Sequence, residues 1–533
     1  MAGHRQGSAA PAAGSATERT PLLETSEIAP AAEPLIASPS ARDDNDGGHD
    51  TDQDQDTRPL PARQVFWLCF ARLVEPMAFF SIFPYINKMA QDNGQLADTD
   101  VGFYSGLIES LFSLTQAAVM VLWGRAADRT GRKPVLVASL IGVSIATSVF
   151  GTARTLWQMI LFRCLAGVFA GTIVTIRTML SELSTSRTQA KAFSWFAFSG
   201  NLGILLGPVL GGALADPAHQ YPTVFGRVPF FDAYPYALSS FVIAVFGLVA
   251  AATTAFYVHE TLPPQDRSCS AIEDDGNGGG DDDDDDDDTT APAHKPDLTI
   301  RQLLASPGVA TVLYVYSHIM LLAFAYTAIC PVFMFTPVHL GGFGLLPYQI
   351  SILMAINGAA QAFWLLILFP PLQHRYGTNA VLRGCAAAYP FFFAMVPLGN
   401  LVLRSGPGSG TGNGTGNGTT LAFWILIPPV LALGSGVSMS FTAIQLALND
   451  VAPPDQPRVL GTLNALALTG VSLVRAVAPA LFTSLFALGA RGQWLGGCAI
   501  WVLMVVLGAW FIVVARWLPE KDDEGKNARA GSR

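Results

Sequence analysis

At residues 124–134 the sequence reads Gly124-Arg125-Ala126-Ala127-Asp128-Arg129-Thr130-Gly131-Arg132-Lys133-Pro134, a short charged stretch between two long apolar runs. The first run ends at Trp123 and the second begins at Val135. The two glycines give the backbone the freedom that a tight turn needs. The four basic side chains favour the cytoplasmic face of a membrane. The stretch therefore predicts a cytoplasmic hairpin between two membrane helices.

The composition is that of a membrane protein. Charged residues make up only 13% of the chain and hydrophobic residues 51%, whereas soluble domains are about a quarter charged. The six cysteines are scattered, and no His, Cys, Asp or Glu cluster has the spacing of metal ligands. No basic surface suited to nucleic acid and no P-loop or nucleophile elbow is present. We expect no metal, no cofactor and no enzymatic activity.

Apolar stretches of sufficient length recur along the whole chain. A spanning helix needs about 20 mostly apolar residues. Twelve stretches qualify, near 65–86, 101–123, 135–152, 156–179, 190–214, 235–257, 309–333, 349–370, 380–403, 421–447, 459–488 and 495–517. We predict an all-α membrane protein with twelve transmembrane helices in two six-helix bundles.

Two independent signals orient these helices. Lys and Arg are denser in the loops on the side of the 124–134 hairpin than in the opposite loops, which predicts that both termini are cytoplasmic. The N-x-[ST] acceptors Asn413 and Asn417 fall in a loop on the other side, where glycosylation occurs.

Composition divides the chain into five segments. These are a disordered tail (1–62), a first bundle (63–257), an acidic linker (258–308), a second bundle (309–518) and a short tail (519–533). The linker holds eight consecutive aspartates, Asp281 to Asp288, which we interpret as a solvated, disordered run; weak Ca²⁺ or Zn²⁺ binding with His294 is the alternative. An acidic dileucine pattern at 18–23 is typical of vacuolar or lysosomal sorting.

The hairpin pattern G-x-x-x-D-R-x-G-R-K resembles the loop between helices 2 and 3 of the major facilitator superfamily of secondary transporters. The resemblance implies a charge network that holds the inward gate closed. It assigns this role to Asp128, Arg129 and Arg132, with Gly124 and Gly131 in the turn. Glu182, just after the fourth span, is expected to join the same network.

A second motif lies in span five, where the order G-x-x-x-G-P-x-x-G-G resembles the motif of antiporters in this superfamily, chiefly proton-coupled exporters. Small residues four apart let a neighbouring helix pack closely, and the proline lets the helix bend. The residues are Gly203, Gly207, Pro208, Gly211 and Gly212. Stretches in spans one and eleven are similar to fungal members of the tetracycline-resistance and zinc-induced-facilitator-like group.

Ionisable residues within spans are costly and mark functional sites. The candidates for proton coupling are Arg72, Glu75, Glu109, Arg163 and Arg475. A buried carboxylate is a natural proton carrier, because burial disfavours its charged form and a nearby Arg favours it. We favour Glu75 as the carrier, tuned by Arg72 or Arg163, with Glu109 second. The alternative is that Arg72 and Glu75, three residues apart, form a static ion pair.

Uncharged polar and aromatic residues of the spans could face a central cavity, although each is also typical of helix packing. The candidates are Asn201, His318, Tyr326, Asn357, Gln361, Gln445 and Asn464.

The resemblance implies a proton-coupled antiporter that exports or sequesters a small organic molecule, such as a drug, a metabolite or a metal chelate, by alternating access. A membrane receptor or sensor on the same fold is the alternative. We expect a monomer in the vacuolar or plasma membrane, with protons, a small-molecule substrate and lipid as its partners.

Overall fold

The computed structural model describes residues 59–185, 188–262, 303–304, 306, 308–405, 417–451 and 457–518. Within these residues the chain is helical and contains no β-strand. The dileucine pattern, the aspartate run, His294 and Asn413 lie outside them, as does the tail at 519–533. Asn417 is the first residue of a helix.

Twelve spanning segments follow one another along the chain, and we number them spans 1 to 12. Spans 1 to 6 are Ala62–Phe80, Val101–Thr130, Arg132–Phe150, Leu156–Leu183, Gln189–Ala213 and Ala237–Tyr257. Spans 7 to 12 are Val309–Phe335, Pro347–Tyr376, Thr378–Arg404, Gly418–Asn449, Pro457–Arg491 and Ala499–Trp517.

Eleven of these helices are long and apolar enough to cross a membrane. The exception is span 1, which carries Arg63, Arg72 and Glu75 in its 19 residues. Helices suit this environment because each satisfies its own backbone hydrogen bonds, which lipid cannot do. The predicted all-α, twelve-span architecture is confirmed.

The hairpin is tighter than predicted. Span 2 continues as a helix through Gly124 to Thr130, and span 3 begins at Arg132. Gly131 alone reverses the chain, with φ at +106°, a left-handed value that favours glycine. Gly124 lies inside the helix and is not a turn residue. We call this end of the protein the hairpin end.

Four spans depart from regular α-helix in their interior. Span 9 is interrupted between Met395 and Leu398. Span 4 is interrupted between Phe169 and Thr172, and span 8 contains a π-helical turn at Trp364–Leu368. Span 10 contains a 3₁₀ turn at Ser435–Ser438. The apolar pattern predicted continuous helices, since it carries no signal for breaks whose backbone groups are satisfied by neighbouring spans.

The two halves of the chain meet along two seams at the end opposite the hairpin. Span 2 packs on span 11, and span 5 packs on span 8. Gly106 lies so close to Thr483 that a Cβ atom there would clash, and Gly212 lies equally close to Ser351. Both glycines are in the part of their span that is remote from the hairpin. The halves are therefore closed against each other at that end.

Hydrogen bonds reinforce both seams. The Ala480 backbone N–H donates to Ser110 Oγ at 2.9 Å, and Ser351 Oγ donates to the Pro208 carbonyl at 2.8 Å.

Candidate functional site

A cavity of about 420 Å³ lies between the two halves. Its walls are mainly apolar and aromatic and come from both halves of the chain. The polar and charged side chains in the walls are Arg72, Glu75, Glu109, Tyr326, Thr327, Asn357, Gln361, Tyr389, Ser435, Ser438 and Arg475. A cavity of this size, mostly apolar with a few polar groups, suits a small organic molecule.

Glu75 is held by two side chains that the sequence did not single out. Gln116 Nε2 donates to its Oε1 at 2.7 Å, and the Thr172 hydroxyl donates to its Oε2. Glu75 is only 6% exposed. Its carboxylate is therefore fixed between span 2 and span 4.

The direct ion pair between Arg72 and Glu75, which was the alternative interpretation of these residues, does not form. Among the described residues Glu75 has no ion-pair partner, although its charge attracts both Arg72 and Arg475. The Arg72 guanidinium instead lies 4.9 Å from the centre of the Phe196 ring. Residues three apart on a helix share a face, but here hydrogen bonds from spans 2 and 4 hold the carboxylate.

The interruption of span 4 is capped by its neighbours. Trp123 Nε1 donates to the Val168 carbonyl at 2.6 Å, and Ser139 Oγ donates to the Phe169 carbonyl at 2.6 Å. Gln116 Nε2 also donates to the Ala170 carbonyl at 3.0 Å. The freed carbonyls are thus satisfied, and Gln116 ties the break to Glu75.

Glu109 is the second carboxylate in the cavity wall and is 2% exposed. It forms no hydrogen bond or ion pair with any residue that the structure describes. Its charge attracts that of Arg163. A buried, unpartnered carboxylate is costly, so Glu109 stays a candidate for proton coupling.

Two arginines flank an aromatic pair, Phe79 and Phe112, of which Phe79 lines the cavity. The Arg163 guanidinium lies 4.7 Å from the ring centre of Phe112, and that of Arg475 lies 4.7 Å from Phe79. The two rings are 5.0 Å apart. Arg163 thus lies behind the lining, whereas Arg475 reaches it from span 11.

The remaining cavity candidates divide into two groups. Tyr326, Asn357 and Gln361 line the cavity, and Asn357 Oδ1 has no hydrogen-bond partner among the described residues. The structure does not bring Asn201, His318, Gln445 or Asn464 into the lining.

Each residue of the second group has another position. Asn201 is exposed, and His318 is buried with its Nε2 3.1 Å from the Leu507 carbonyl. Gln445 Nε2 donates to Asn464 Oδ1 at 2.9 Å within the second half. Helix packing accounts for His318, Gln445 and Asn464.

The hairpin end carries a charge network. Arg132 Nη2 lies 3.1 Å from Glu182 Oε1, and Arg132 Nη1 pairs with Asp128. The Thr261 hydroxyl donates to the other oxygen of Glu182. Arg129 is exposed. The structure thus brings Asp128, Arg132 and Glu182 together, as expected.

Glu260, which the sequence placed in the linker, caps the start of span 3. Its carboxylate accepts the Arg132 N–H at 2.8 Å and the Lys133 N–H at 3.2 Å. Partial burial opposes ionisation, but these and other backbone N–H groups outweigh it and lower the pKa of Glu260. A lone Glu three residues after a span carries no signal for this contact.

The glycines of span 5 serve two interfaces. Gly203, Gly207 and Gly211 face the backbone of span 1, whereas Gly212 faces span 8 across the seam. Pro208 lines the cavity.

Known proteins resemble this chain along most of its length. A family model for the Major Facilitator Superfamily matches residues 68–455. The efflux pump azaK of Aspergillus niger is 44% identical over 461 residues, covering 86% of this chain and 88% of that protein. Protein ZINC INDUCED FACILITATOR 1 of Arabidopsis thaliana is 27% identical, covering 79% and 84% respectively.

Solved structures of other proteins share this fold. The crystal structure of a bacterial homolog to the human lysosomal transporter Spinster, inward-facing and unoccupied, superimposes with a TM-score of 0.58 at 15% identity, covering 87% of this chain and 98% of that one. The cavity, the two seams and these similarities lead to one conclusion: the chain is a multi-pass membrane protein of the Major Facilitator Superfamily, a secondary transporter and not an enzyme.

Proposed function

We propose that this transporter is a proton-coupled antiporter that exports or sequesters a small organic molecule by alternating access. The observation that carries the proposal is the pair of buried carboxylates, Glu75 and Glu109, in the wall of an otherwise apolar cavity. Ionisable groups at such depth are expensive and serve ion or substrate pathways. The similarity to proteins named efflux pump and multidrug transporter supports export.

Glu75 is the proposed proton carrier and Glu109 the second. An ionised Glu75 accepts charge-assisted hydrogen bonds from both Gln116 and Thr172, and an added proton removes the charge that strengthens them. Protonation at this position therefore has a structural consequence. Glu109, without a partner among the described residues, offers an alternative site in the same wall.

The proposed direction of transport follows from the seams, which close the cavity at the end opposite the hairpin. Basic residues concentrate at the hairpin end, and we assign that end and both termini to the cytoplasm. The halves close at the opposite end. This arrangement supports a state in which the cavity exchanges with the cytoplasm, as loading of an exporter requires. The vacuolar and plasma membranes both fit this orientation.

The test is uptake by proteoliposomes under an imposed pH gradient. The probes are tetracycline, benzoate and a zinc–citrate chelate, one each for drugs, organic acids and chelates. The wild type is compared with Glu75→Gln, Glu109→Gln and Asp232→Asn, the last altering an exposed carboxylate as the matched control. We expect the gradient to drive accumulation in the wild type and the control but not in Glu75→Gln.

Other outcomes are equally informative. Loss in Glu109→Gln alone would move the carrier to Glu109. Binding of a probe without gradient-driven flux in any variant would contradict transport of that probe and favour a receptor or sensor.

A further inference from the structure

A single rigid element joins the cavity to the hairpin end. The second half of span 4, Thr172–Leu183, is a helix of 12 residues, about 18 Å long at 1.5 Å per residue. Its first residue contacts Glu75 and its penultimate residue, Glu182, contacts Arg132. We call this element the coupling helix.

At its cavity end the coupling helix is tied through Glu75 to both sides of the break. Thr172 lies after the break and donates to the carboxylate. Gln116 donates to the same carboxylate and also to Ala170, which lies before Thr172 in the interruption. Glu75 and Gln116 therefore help to fix the two parts of span 4 relative to each other, beside Ser139, which accepts from the Gly171 N–H at 3.3 Å and donates to the Phe169 carbonyl.

At its other end the coupling helix holds the charge network. Glu182 accepts from Arg132 with one oxygen and from Thr261 with the other. Arg132 in turn pairs with Asp128 across the Gly131 turn. A shift or rotation of the coupling helix would move Glu182 and so loosen these contacts.

The two donors to Glu75, Thr172 and Gln116, respond differently to a proton on its carboxylate. A carboxylate accepts both donors, but a protonated carboxyl group offers its O–H as a donor and loses acceptor capacity. The Thr172 hydroxyl can reverse its role and accept from the protonated carboxyl group, whereas Gln116 Nε2 still donates but now to an uncharged oxygen, and a hydrogen bond to a neutral acceptor is weaker than a charge-assisted one. Protonation thus weakens the tie at Gln116.

Other charges surround this arrangement. Arg72 and Arg475 attract the Glu75 charge. The other charged residues on spans 1 to 5, none with a hydrogen bond to the Glu75 carboxylate, are Arg63, Glu109, Arg125, Asp128, Arg129, Arg132, Lys133, Arg163, Arg177, Glu182 and Lys191.

We propose that Gln116 and Thr172 are positioning residues. Through the coupling helix they couple the protonation of Glu75 to the charge network at the hairpin end. The inference rests on the proposed proton coupling at Glu75. It goes further by naming the element that carries the proton's effect to the gate.

The test is hydrogen–deuterium exchange of the full-length protein in nanodiscs at one fixed pH, read on backbone amides of residues 176–183. Glu75→Gln removes the charge, Gln116→Leu and Thr172→Val remove the donors, and Thr172→Ser restores the hydroxyl. Thr175→Val is the matched control, because Thr175 lies on the same helix, is buried and, among the described residues, its hydroxyl bonds only the Gly171 carbonyl. Melting curves verify that each variant is folded.

We expect exchange to rise about tenfold in Glu75→Gln, Gln116→Leu and Thr172→Val, and to stay at the wild-type rate in Thr172→Ser and Thr175→Val. Equal exchange in Thr172→Val and Thr175→Val, or unchanged exchange in Glu75→Gln, would overturn the inference. This measurement needs no substrate, so it can fail or succeed independently of the transport assay.

Flux supplies the second readout. This readout applies where the wild type shows proton flux. Loss of a donor to the Glu75 carboxylate makes proton binding easier, so the midpoint of the pH dependence of proton flux should rise by about one pH unit in Thr172→Val and Gln116→Leu. A profile unchanged from wild type in both variants would contradict the assigned role.

Discussion

The guanidinium of Arg475 lies 4.7 Å from the ring centre of Phe79, so a cation from the second half of the chain stacks on an aromatic residue of the first half inside the cavity. Phe79 in turn contacts Phe112, on which Arg163 stacks. This row of four side chains joins span 11 to span 4 through spans 1 and 2. The arrangement of these side chains therefore depends on the relative position of the two halves.

Replacing Arg475 by Lys should impair transport although the charge remains. Lysine lacks the planar group that stacks on an aromatic face, and a desolvated cation–π contact contributes about 2 kcal/mol. We expect proton-driven uptake to fall about tenfold in Arg475→Lys and in Phe79→Leu. Arg491→Lys, which alters an exposed arginine of the same span, should transport normally; an equal fall there would refute the stacking argument.

Gly212→Ala should open the seam between spans 5 and 8, because the new Cβ atom has no room beside Ser351. The native thiol of Cys330 lines the cavity and reports access. In sealed vesicles that expose only the end opposite the hairpin, an impermeant maleimide should label Cys330 faster in Gly212→Ala than in wild type.

The control for this experiment is Gly384→Ala, since a Cβ atom at Gly384 meets open space. Equal labelling of Gly212→Ala and Gly384→Ala would show that the seam does not limit access.

Trp123→Phe should destabilise the fold by removing the donor to the Val168 carbonyl at the break in span 4. A buried acceptor left without a donor costs about 1–3 kcal/mol, so the thermal midpoint in detergent should fall. Trp157→Phe alters a tryptophan that is 70% exposed and should leave the midpoint near that of wild type. The idea fails if both substitutions lower it alike.

Glu260 should stabilise the hairpin end in a pH-dependent way. Its pKa is lowered in the folded state, so its stabilisation is fully present above its unfolded pKa of about 4.3 and is lost as the pH falls through the lower folded value. The thermal midpoint of wild type should exceed that of Glu260→Gln at pH 7, and the difference should shrink at pH 3. A constant difference across this range would exclude ionised Glu260 as the cause.

The sequence identified the elements whose signal is local. Apolar length predicted the twelve spans, and the spacing of Asp128, Gly131 and Arg132 predicted the hairpin. The predicted length of the turn was wrong because residues 124–130 are compatible with a helix. The Thr130 hydroxyl even donates to the Ala126 carbonyl. The helix ends there at Gly131, which has a positive φ.

Contacts between distant elements were beyond sequence reasoning. Arg72 was the nearest charge to Glu75 along the chain, but the carboxylate binds Gln116 and Thr172, which are 41 and 97 residues away. Glu260 reaches back 128 residues to Arg132. His318 carried a titratable signal, yet it packs against span 12 and not in the cavity.

The most direct test of antiport is substrate-driven proton movement in the absence of any imposed pH gradient. Proteoliposomes are loaded with a probe that the uptake assay identifies as transported, clamped at zero membrane potential and diluted, and the internal pH is followed with a trapped dye. Antiport predicts that the interior acidifies as the probe leaves, in wild type and Asp232→Asn but not in Glu75→Gln. Probe efflux with an unchanged or rising internal pH in wild type would contradict it.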